Sequence, residues 1–207
     1  LAFDPEEAIL VLSKCDKKLG RLIKRVGPFR RERRGKVDPF QNLMHAIIYQ
    51  QLSGKAANAI HGRVVALFDE GDGPTPDVLL ELPDQDLRDA GMSRGKIASL
   101  QDLARKMLDG TVPSARKLRR MTDEEIVIRI TEVRGIGEWT VQMMLLFNLR
   151  RPDVMPAGDL GVRKGFQLTY GLEELPKPEA VMEYGERWRP YRSVASWYMW
   201  RALELDD

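Results

Sequence analysis

Between Val133 and Thr140 the chain reads Val-Arg-Gly-Ile-Gly-Glu-Trp-Thr, and a lone aspartate follows at Asp159. Gly135 and Gly137 can take positive φ without steric cost, and Ile136 between them can point inward and pin the turn to a core. The amides from Gly137 onward would then open a helix over Glu138–Asn148. A first helical turn has unpaired N–H groups and a partial positive charge, which suit a phosphate. Such a contact grips nucleic acid by its backbone without reading sequence. Asp159 precedes an apolar helix start, where an aspartate commonly serves as a cap. A carboxylate fixed in that way can also face positive charge on a sugar as a base–sugar bond breaks. It can stabilise that charge or orient and deprotonate the attacking water, and the residues do not divide the two roles. Tryptophan offers the complementary surface. An electron-rich ring attracts a cationic base, worth on the order of 1–2 kcal/mol when desolvated.

The elements that must hold these groups read as helices almost throughout. Asp4-Pro5-Glu6-Glu7 is a capped start with proline at the first helical position. Leu43, Met44, Ile47 and Ile48 recur at helical spacing. Ser53 can cap a helix containing Ala56, Ile60, Val64 and Leu67. Thr75-Pro76 and Ser93 start others, while Gly91 and Gly110 stop them. Thr122-Asp-Glu-Glu125 is a capping box ahead of Ile126, Ile128 and Ile130. Those isoleucines alternate as in a strand, but the cap and the charged flanks favour helix. Tyr191–Leu203 closes the chain as an aromatic-rich helix. No strand pair, repeat or low-complexity linker stands out. Residues 71–76 and 150–158 read as the long loops. The expected fold is all-α, about ten short helices in two lobes. A central lobe would span about 38–150, and residues 1–37 and 151–207 would form a second. An active-site cleft between them is the natural ligand site.

Composition narrows the classes. The chain has 207 residues, 43% hydrophobic and 31% charged, as in a soluble globular protein. No apolar run approaches a membrane span, and the first residues lack the regions of a signal peptide. A single cysteine, Cys15, allows neither an internal disulfide nor a cysteine-ligated cluster, and reads as an ordinary thiol in a reducing cytoplasm. His45 and His61 are too few for a dedicated metal cage. The net charge of +2 does not announce nucleic acid. Its distribution says more, with basic clusters at Arg30–Lys36, Arg116–Arg120, Arg150–Arg151 and Arg163–Lys164. Acidic ones lie at Asp69–Asp72, Asp77–Asp89 and Glu173–Glu186. Either the surface is bipolar with one DNA-facing side, or these runs are solvated helix faces.

Three ordered motifs together resemble the helix-hairpin-helix DNA glycosylase superfamily. They are the Val133–Thr140 hairpin, Met155-Pro-Ala-Gly-Asp159-Leu-Gly-Val-Arg-Lys after it, and Ile47-Ile-Tyr-Gln-Gln-Leu-Ser53-Gly-Lys-Ala-Ala before it. Glu186-Arg-Trp-Arg-Pro-Tyr-Arg-Ser193 with Trp200 resembles the alkylbase branch, the 3-methyladenine DNA glycosylase II type. The similarity runs from about Asp38 to Leu203 and is to the compact form, without the extra β-rich domain of larger bacterial relatives.

The resemblance implies that Asp159 is catalytic and that Trp139, Met143 and Trp200 line a base pocket. Met143 stands where some relatives have an aromatic, which would make the pocket wider or less selective. Trp188 and Trp197 read better as core. The wedge that fills the gap left by a flipped base falls at Gln51 or Leu52. Gln51 occupies a position that is apolar in two-lobed bacterial relatives. DNA contacts are implied at Ser53, Lys55, Gly135, Gly137, Glu138 and Thr140, although Ser53 could serve only as a cap and Glu138 only as a helix-start acid. Backbone carbonyls of Thr131, Val133 and Ile136 would hold a monovalent cation, Na+ or K+. Members that cut the strand carry a lysine where this chain has Trp139, so no lyase step is expected. The cysteine count excludes the iron–sulfur cluster of other members, and no cofactor is required.

Alkylated purines are cationic before cleavage and leave neutral, so a second catalytic carboxylate is not demanded. The expectation is thus a monofunctional DNA glycosylase acting on alkylated bases such as 3-methyladenine in double-stranded DNA. It would work as a monomer in the cytoplasm, at the nucleoid if the source is bacterial. Two rivals stay open: a glycosylase for oxidised or mismatched bases, and a non-catalytic hairpin module that binds DNA and has no use for Asp159.

Overall fold

A computed structural model describes residues 3–30, 38–68 and 73–205. Most of the Arg30–Lys36 basic cluster, the Asp69–Asp72 acidic cluster and the start of the expected 71–76 loop lie outside the described residues. The described chain is helical. In order it forms α1 (Pro5–Cys15), α2 (Lys17–Val26), α3 (Pro39–Tyr49), α4 (Gly54–Val65), α5 (Pro76–Glu81) and α6 (Asp84–Asp89). It continues with α7 (Arg94–Leu108), α8 (Ala115–Leu118), α9 (Asp123–Ile130), α10 (Glu138–Met144), α11 (Leu160–Tyr170), α12 (Pro178–Gly185) and α13 (Arg192–Ala202). A π-helical turn, Leu145–Leu149, follows α10, and short 3-10 turns occupy Glu186–Trp188 and Leu203–Leu205. No strand is present among the described residues, and none of their helices is long and apolar enough to cross a membrane.

The sequence signals set many of the boundaries. Asp4, Ser53 and Ser93 each accept an amide of the helix they precede, and the capping box at Thr122 and Glu125 is complete in both directions. Gly91 and Gly110 leave their helices at φ values of 102° and 83°. Ile126 and Ile130 are buried on one face of α9 while Ile128 points to solvent, as a helical period requires. Helices are more numerous than the sequence suggests. The periodic segments are broken by extended residues such as Leu82 and Pro83, which separate α5 from α6.

The chain divides into two compact units. One comprises Leu1–Arg34 and Leu145–Asp207, the other Gly35–Met144. In the second unit α7 packs against α3, α5 and α6, and α10 packs against α9 and α3. Leu43, Met44, Ile47 and Ile48 of α3 are all buried.

In the first unit α13 packs against α11, α2 and α1. Its core includes Trp188, with Trp197 and Trp200 partly buried against it. Helices α11 and α13 approach closely at glycine. A Cβ on Gly165 would sit 1.8 Å from the carbonyl oxygen of Met199, so only a residue without a side chain fits. At the far end of α11, the Tyr170 hydroxyl donates to Asp16 Oδ2 at 2.5 Å and the Trp188 indole donates to the same oxygen at 3.1 Å. Asp16 Oδ1 also caps α2. Burial works to raise the Asp16 pKa, but hydrogen bonds led by Tyr170 and the Leu19 amide outweigh it and hold the carboxyl below its ordinary range. The Tyr198 hydroxyl, buried and pushed up to about 12, donates to the Gly27 carbonyl and ties α13 to the end of α2.

Two outcomes follow. Gly165→Ala forces α11 and α13 apart and should destabilise the protein by about 3 kcal/mol or more, read as a shift in urea midpoint. Asp16 has a folded pKa below its unfolded value. Its contribution is therefore complete at neutral pH and declines as pH falls through that ordinary range toward the lowered folded value. Asp16→Asn should lower stability at neutral pH and leave a shallower acid limb in a plot of unfolding free energy against pH.

Candidate active site and nucleic-acid interface

Asp159 sits at the N-cap of α11, half-buried, and its Oδ1 accepts the Val162 amide at 2.9 Å. The cap expected from sequence is therefore present, and it fixes the carboxylate. The same oxygen accepts the Trp200 indole N–H at 2.8 Å. Trp200 comes from α13, and it reaches Asp159 because position 161 is glycine. A Cβ there would lie 2.8 Å from Trp200 Cδ1 and 2.9 Å from Nε1. The indole also stacks on Phe147 of the π-helical turn, with centroids 5.6 Å apart and an interplanar angle of 29°. Trp200 and Phe147 belong to the lining of a recess of about 890 Å³ that also contains Phe3, Phe29, Trp197 and Arg151.

The segment leading to Asp159 has little regular structure, yet it is held firmly. It begins at Arg150, a non-glycine residue at φ 61°, a conformation that costs of order 1 kcal/mol and persists only where the surroundings enforce it. The first residues of α13 do so. Ser193 Oγ donates to the Arg151 carbonyl at 2.7 Å and accepts the Val154 amide at 2.9 Å, and the Ser193 amide donates to the Pro152 carbonyl at 3.0 Å. Arg192 is nearly buried. It pairs with Asp153 at 2.8 Å, donates to the Asp153 carbonyl at 3.0 Å, and reaches Glu186 at 2.8 Å. Met155, Pro156 and Ala157 are buried. Asp153, Arg192 and Ser193 were not singled out individually from sequence. The Arg-Pro-Tyr-Arg-Ser run was the available signal, and its role is to clamp this loop.

The hairpin lies in the other compact unit. Helix α9 ends at Ile130, the turn follows, and α10 begins at Glu138. Gly135 adopts φ 76°, and a Cβ on it would meet Ser99 Oγ of α7 at 2.9 Å. Ile136 is buried, as the sequence expects of the turn's anchor, and so is Val133, while Gly135, Gly137 and Glu138 are exposed. The first-turn amides of α10 are those that an α-helix leaves without an intrahelical acceptor. Glu138 also accepts from Gln142 at 2.9 Å. Thr140 is buried and its amide donates to the Gly137 carbonyl at 3.0 Å, so Thr140 turns inward from the tip. Trp139 is 52% exposed, a large apolar side chain displayed on the first turn. Met143, one turn further on, is half-buried.

Helix α7 supports the turn from behind. Asp102 Oδ2 accepts the Arg134 amide at 2.7 Å and pairs with Lys106 at 2.9 Å, and Lys106 also donates to the Glu132 carbonyl. Burial works to raise Asp102, but the Arg134 amide and Lys106 outweigh it and hold the carboxyl low.

The turn between α3 and α4 is close by in the same unit. Gln51 is exposed and, unusually for a non-glycine residue, takes φ 57°. Leu52 is 38% exposed, and its amide donates to the Tyr49 carbonyl at 3.4 Å. Lys96 of α7 donates to the carbonyls of Ile48 at 2.6 Å and Gln50 at 2.8 Å. Burial pulls its ammonium below the ordinary lysine value. Gln50 Nε2 donates to the Gly135 carbonyl at 2.9 Å, joining this turn to the hairpin. Ser53 accepts the Ala56 amide as the α4 cap, and Lys55 is exposed beside it. The site residues thus fall in two sets: Asp159 with Trp200, and the hairpin with the Gln51–Leu52 turn, Trp139 and Met143. Gln50, Lys96 and Asp102 were not picked out from sequence, because their partners are backbone groups with no side-chain signature.

A capped carboxylate bonded to an indole, in a chain with a glycine-tipped hairpin, describes a base-excision scaffold. Residues 44–190 match the model of the HhH-GPD superfamily of base excision DNA repair proteins, and the chain belongs to that family. It is 38% identical over 202 residues to DNA-3-methyladenine glycosylase 1 of Schizosaccharomyces pombe, covering 97% of this chain and 89% of that one. The solved structure of the S. pombe 3-methyladenine DNA glycosylase Mag1 with abasic DNA superposes at a TM-score of 0.84. It is 37% identical and covers 94% of this chain and 95% of Mag1. A DNA-3-methyladenine glycosidase from Bacillus halodurans superposes at 0.85, at 33% identity, over 94% and 88% of the two chains.

Gly161→Ala should push the Trp200 indole off the carboxylate. A hydrogen bond to a charged group is worth about 1.5–3 kcal/mol. Exchange of the Trp200 indole proton with solvent, followed by ¹⁵N NMR and assigned with Trp200→Phe, should therefore accelerate by about tenfold or more.

Proposed function

We propose that the protein is a monofunctional DNA glycosylase that removes alkylated bases, 3-methyladenine and related lesions, from double-stranded DNA. The observation that carries this reading is the Asp159 carboxylate, held by the Val162 amide and the Trp200 indole. The family membership and the relatives' activities support it.

The hairpin around Gly135, Gly137 and Glu138 grips a phosphate through first-turn amides, and Ser53 and Lys55 add contacts of the same kind. The target base leaves the stack at a cost of a few kcal/mol, and Gln51 or Leu52 enters the gap. Trp139, Met143 and Trp200 receive the base, and the aromatic faces favour its positive charge. As the glycosidic bond lengthens, charge moves from the base to the deoxyribose. The fixed Asp159 carboxylate stabilises that charge and directs water at the sugar carbon. The base departs neutral, so no strong general acid is needed. Trp139 has no amine to attack the sugar, and the product is an intact abasic strand.

Thr131 is the C-cap of α9, its amide on the Val127 carbonyl, and Val133 and Ile136 lie in the turn that leads to α10. The Val133 carbonyl takes one amide, from Ile136, and keeps a second lone pair. Carbonyls so placed fit a hard monovalent cation, Na+ or K+, which would brace the tip electrostatically. The protein acts as a monomer in the cytoplasm, at the nucleoid in a bacterial cell.

The test is release of methylated bases from duplex DNA by the wild type and by Asp159→Asn. Asparagine keeps an oxygen for the Val162 amide and the Trp200 indole and removes only the charge. Base release should fall by about 10²-fold or more with duplex binding retained. Tight binding without any base release by the wild type would sink the enzymatic reading in favour of a binding module. Strand cleavage before any alkali or amine is added would overturn the monofunctional one.

A further inference from the structure

One stripe of α7 carries Lys96, Ser99, Asp102 and Lys106, and the lysines and the aspartate serve the backbone of two separate turns. Lys96 takes the carbonyls of Ile48 and Gln50. Ser99 lies against Gly135, Asp102 takes the Arg134 amide, and Lys106 reaches the Glu132 carbonyl. A polar helix stripe normally faces water. Here it forms a template on which the Gln51–Leu52 turn and the hairpin are both mounted. The two turns are also joined directly, by Gln50 Nε2 on the Gly135 carbonyl at 2.9 Å. That carbonyl's direction is set by the positive φ of Gly135. Next to Gln50 stands Gln51, held at φ 57°. The backbone strain at Gln51 needs an over-determined setting, and Lys96 and Gln50 supply it.

We infer that Gln50 is a positioning residue that couples the Gln51–Leu52 turn to the hairpin, so that gripping the phosphate and entering the base stack occur as one step. The inference rests on the glycosylase reading for its biological meaning, but its geometry does not involve Asp159. Gln50 has its side chain committed to Gly135, so filling the gap falls to Gln51 and Leu52. If the hairpin engages the backbone while the turn is untethered, DNA is bound but the base remains stacked. The lost step matters only where a stack must be opened, which is in duplex DNA.

Two variants separate this from a general structural role. Gln50→Glu keeps the shape and replaces the donor by an oxygen that repels the Gly135 carbonyl. Gln50→Leu removes all polarity. Single-turnover base release is measured on a methylated duplex and on the same methylated strand unpaired. Stack opening is measured apart from chemistry, by fluorescence of 2-aminopurine placed beside an abasic-site analogue in a duplex. Expected is a fall of about tenfold or more on the duplex, with release from the unpaired strand within about twofold of wild type. The fluorescence gain on binding should be lost while affinity for the duplex stays within about threefold. Equal falls on both substrates, or an unchanged duplex rate with unchanged fluorescence, would overturn the coupling. If the wild type releases no base but shows a fluorescence gain that both variants lose, the coupling stands and the glycosylase reading fails. A wild type with no fluorescence gain overturns the coupling whether or not it releases base.

Discussion

The geometry around Asp159 depends on two helices meeting where one of them carries glycine. Helix α11 presents Gly161 and Gly165 to α13, one turn apart, and the Met199 carbonyl fills the space where a Gly165 side chain would be. This contact brings Trp200 to Asp159. It sets the carboxylate, which caps α11, against an indole that belongs to α13. Other contacts of the same unit serve the same end. The Asp16 carboxyl, under Tyr170 and Trp188, holds the C-terminal end of α11, while Arg192 and Ser193 hold the loop that leads into its N-terminal end. A helix fixed at both ends and along its flank leaves its cap residue, Asp159, little freedom.

The second unit solves a different problem. Val133 and Ile136 anchor one of its two turns, but Gly135, Gly137 and Gln51 are exposed, so packing alone cannot define them. Definition comes from hydrogen bonds that one helix, α7, makes to their backbones. Charged donors and acceptors are well suited to this, because a backbone carbonyl or amide held by an ion is stronger than one held by a neutral partner. Lys96 also places positive charge at the carbonyl end of α3, where the helix dipole favours it.

How much of this was legible in the sequence differs between the two kinds of feature. Caps, glycine stops and the capping box could be read directly, because each depends on a residue type next to its own helix. The hairpin was legible for the same reason, since Gly135, Ile136 and Gly137 specify a local shape. Asp159 was legible as a cap, but its hydrogen bond with Trp200 was not: the resemblance put both at one site without pairing them, and the two lie 41 residues apart. The α7 stripe was not legible. Lysine, serine and aspartate at helical spacing describe any solvated face, and their partners are backbone atoms present at every position. Asp153 and Arg192 were hidden in the same way, as ordinary charges whose pairing exists only after folding.

Gly161 and Gly165 also carry a consequence for the gene. Every single-nucleotide change that replaces a glycine introduces a stop or a residue with a Cβ. At Gly165 even the smallest such residue collides with main chain, and at Gly161 it collides with the indole. These two codons therefore have no conservative neighbours. Drift can rework the exposed faces of α11 step by step, but the seam it shares with α13 can change only if a second helix moves at the same time. The seam therefore stays fixed while the rest of the helix varies around it.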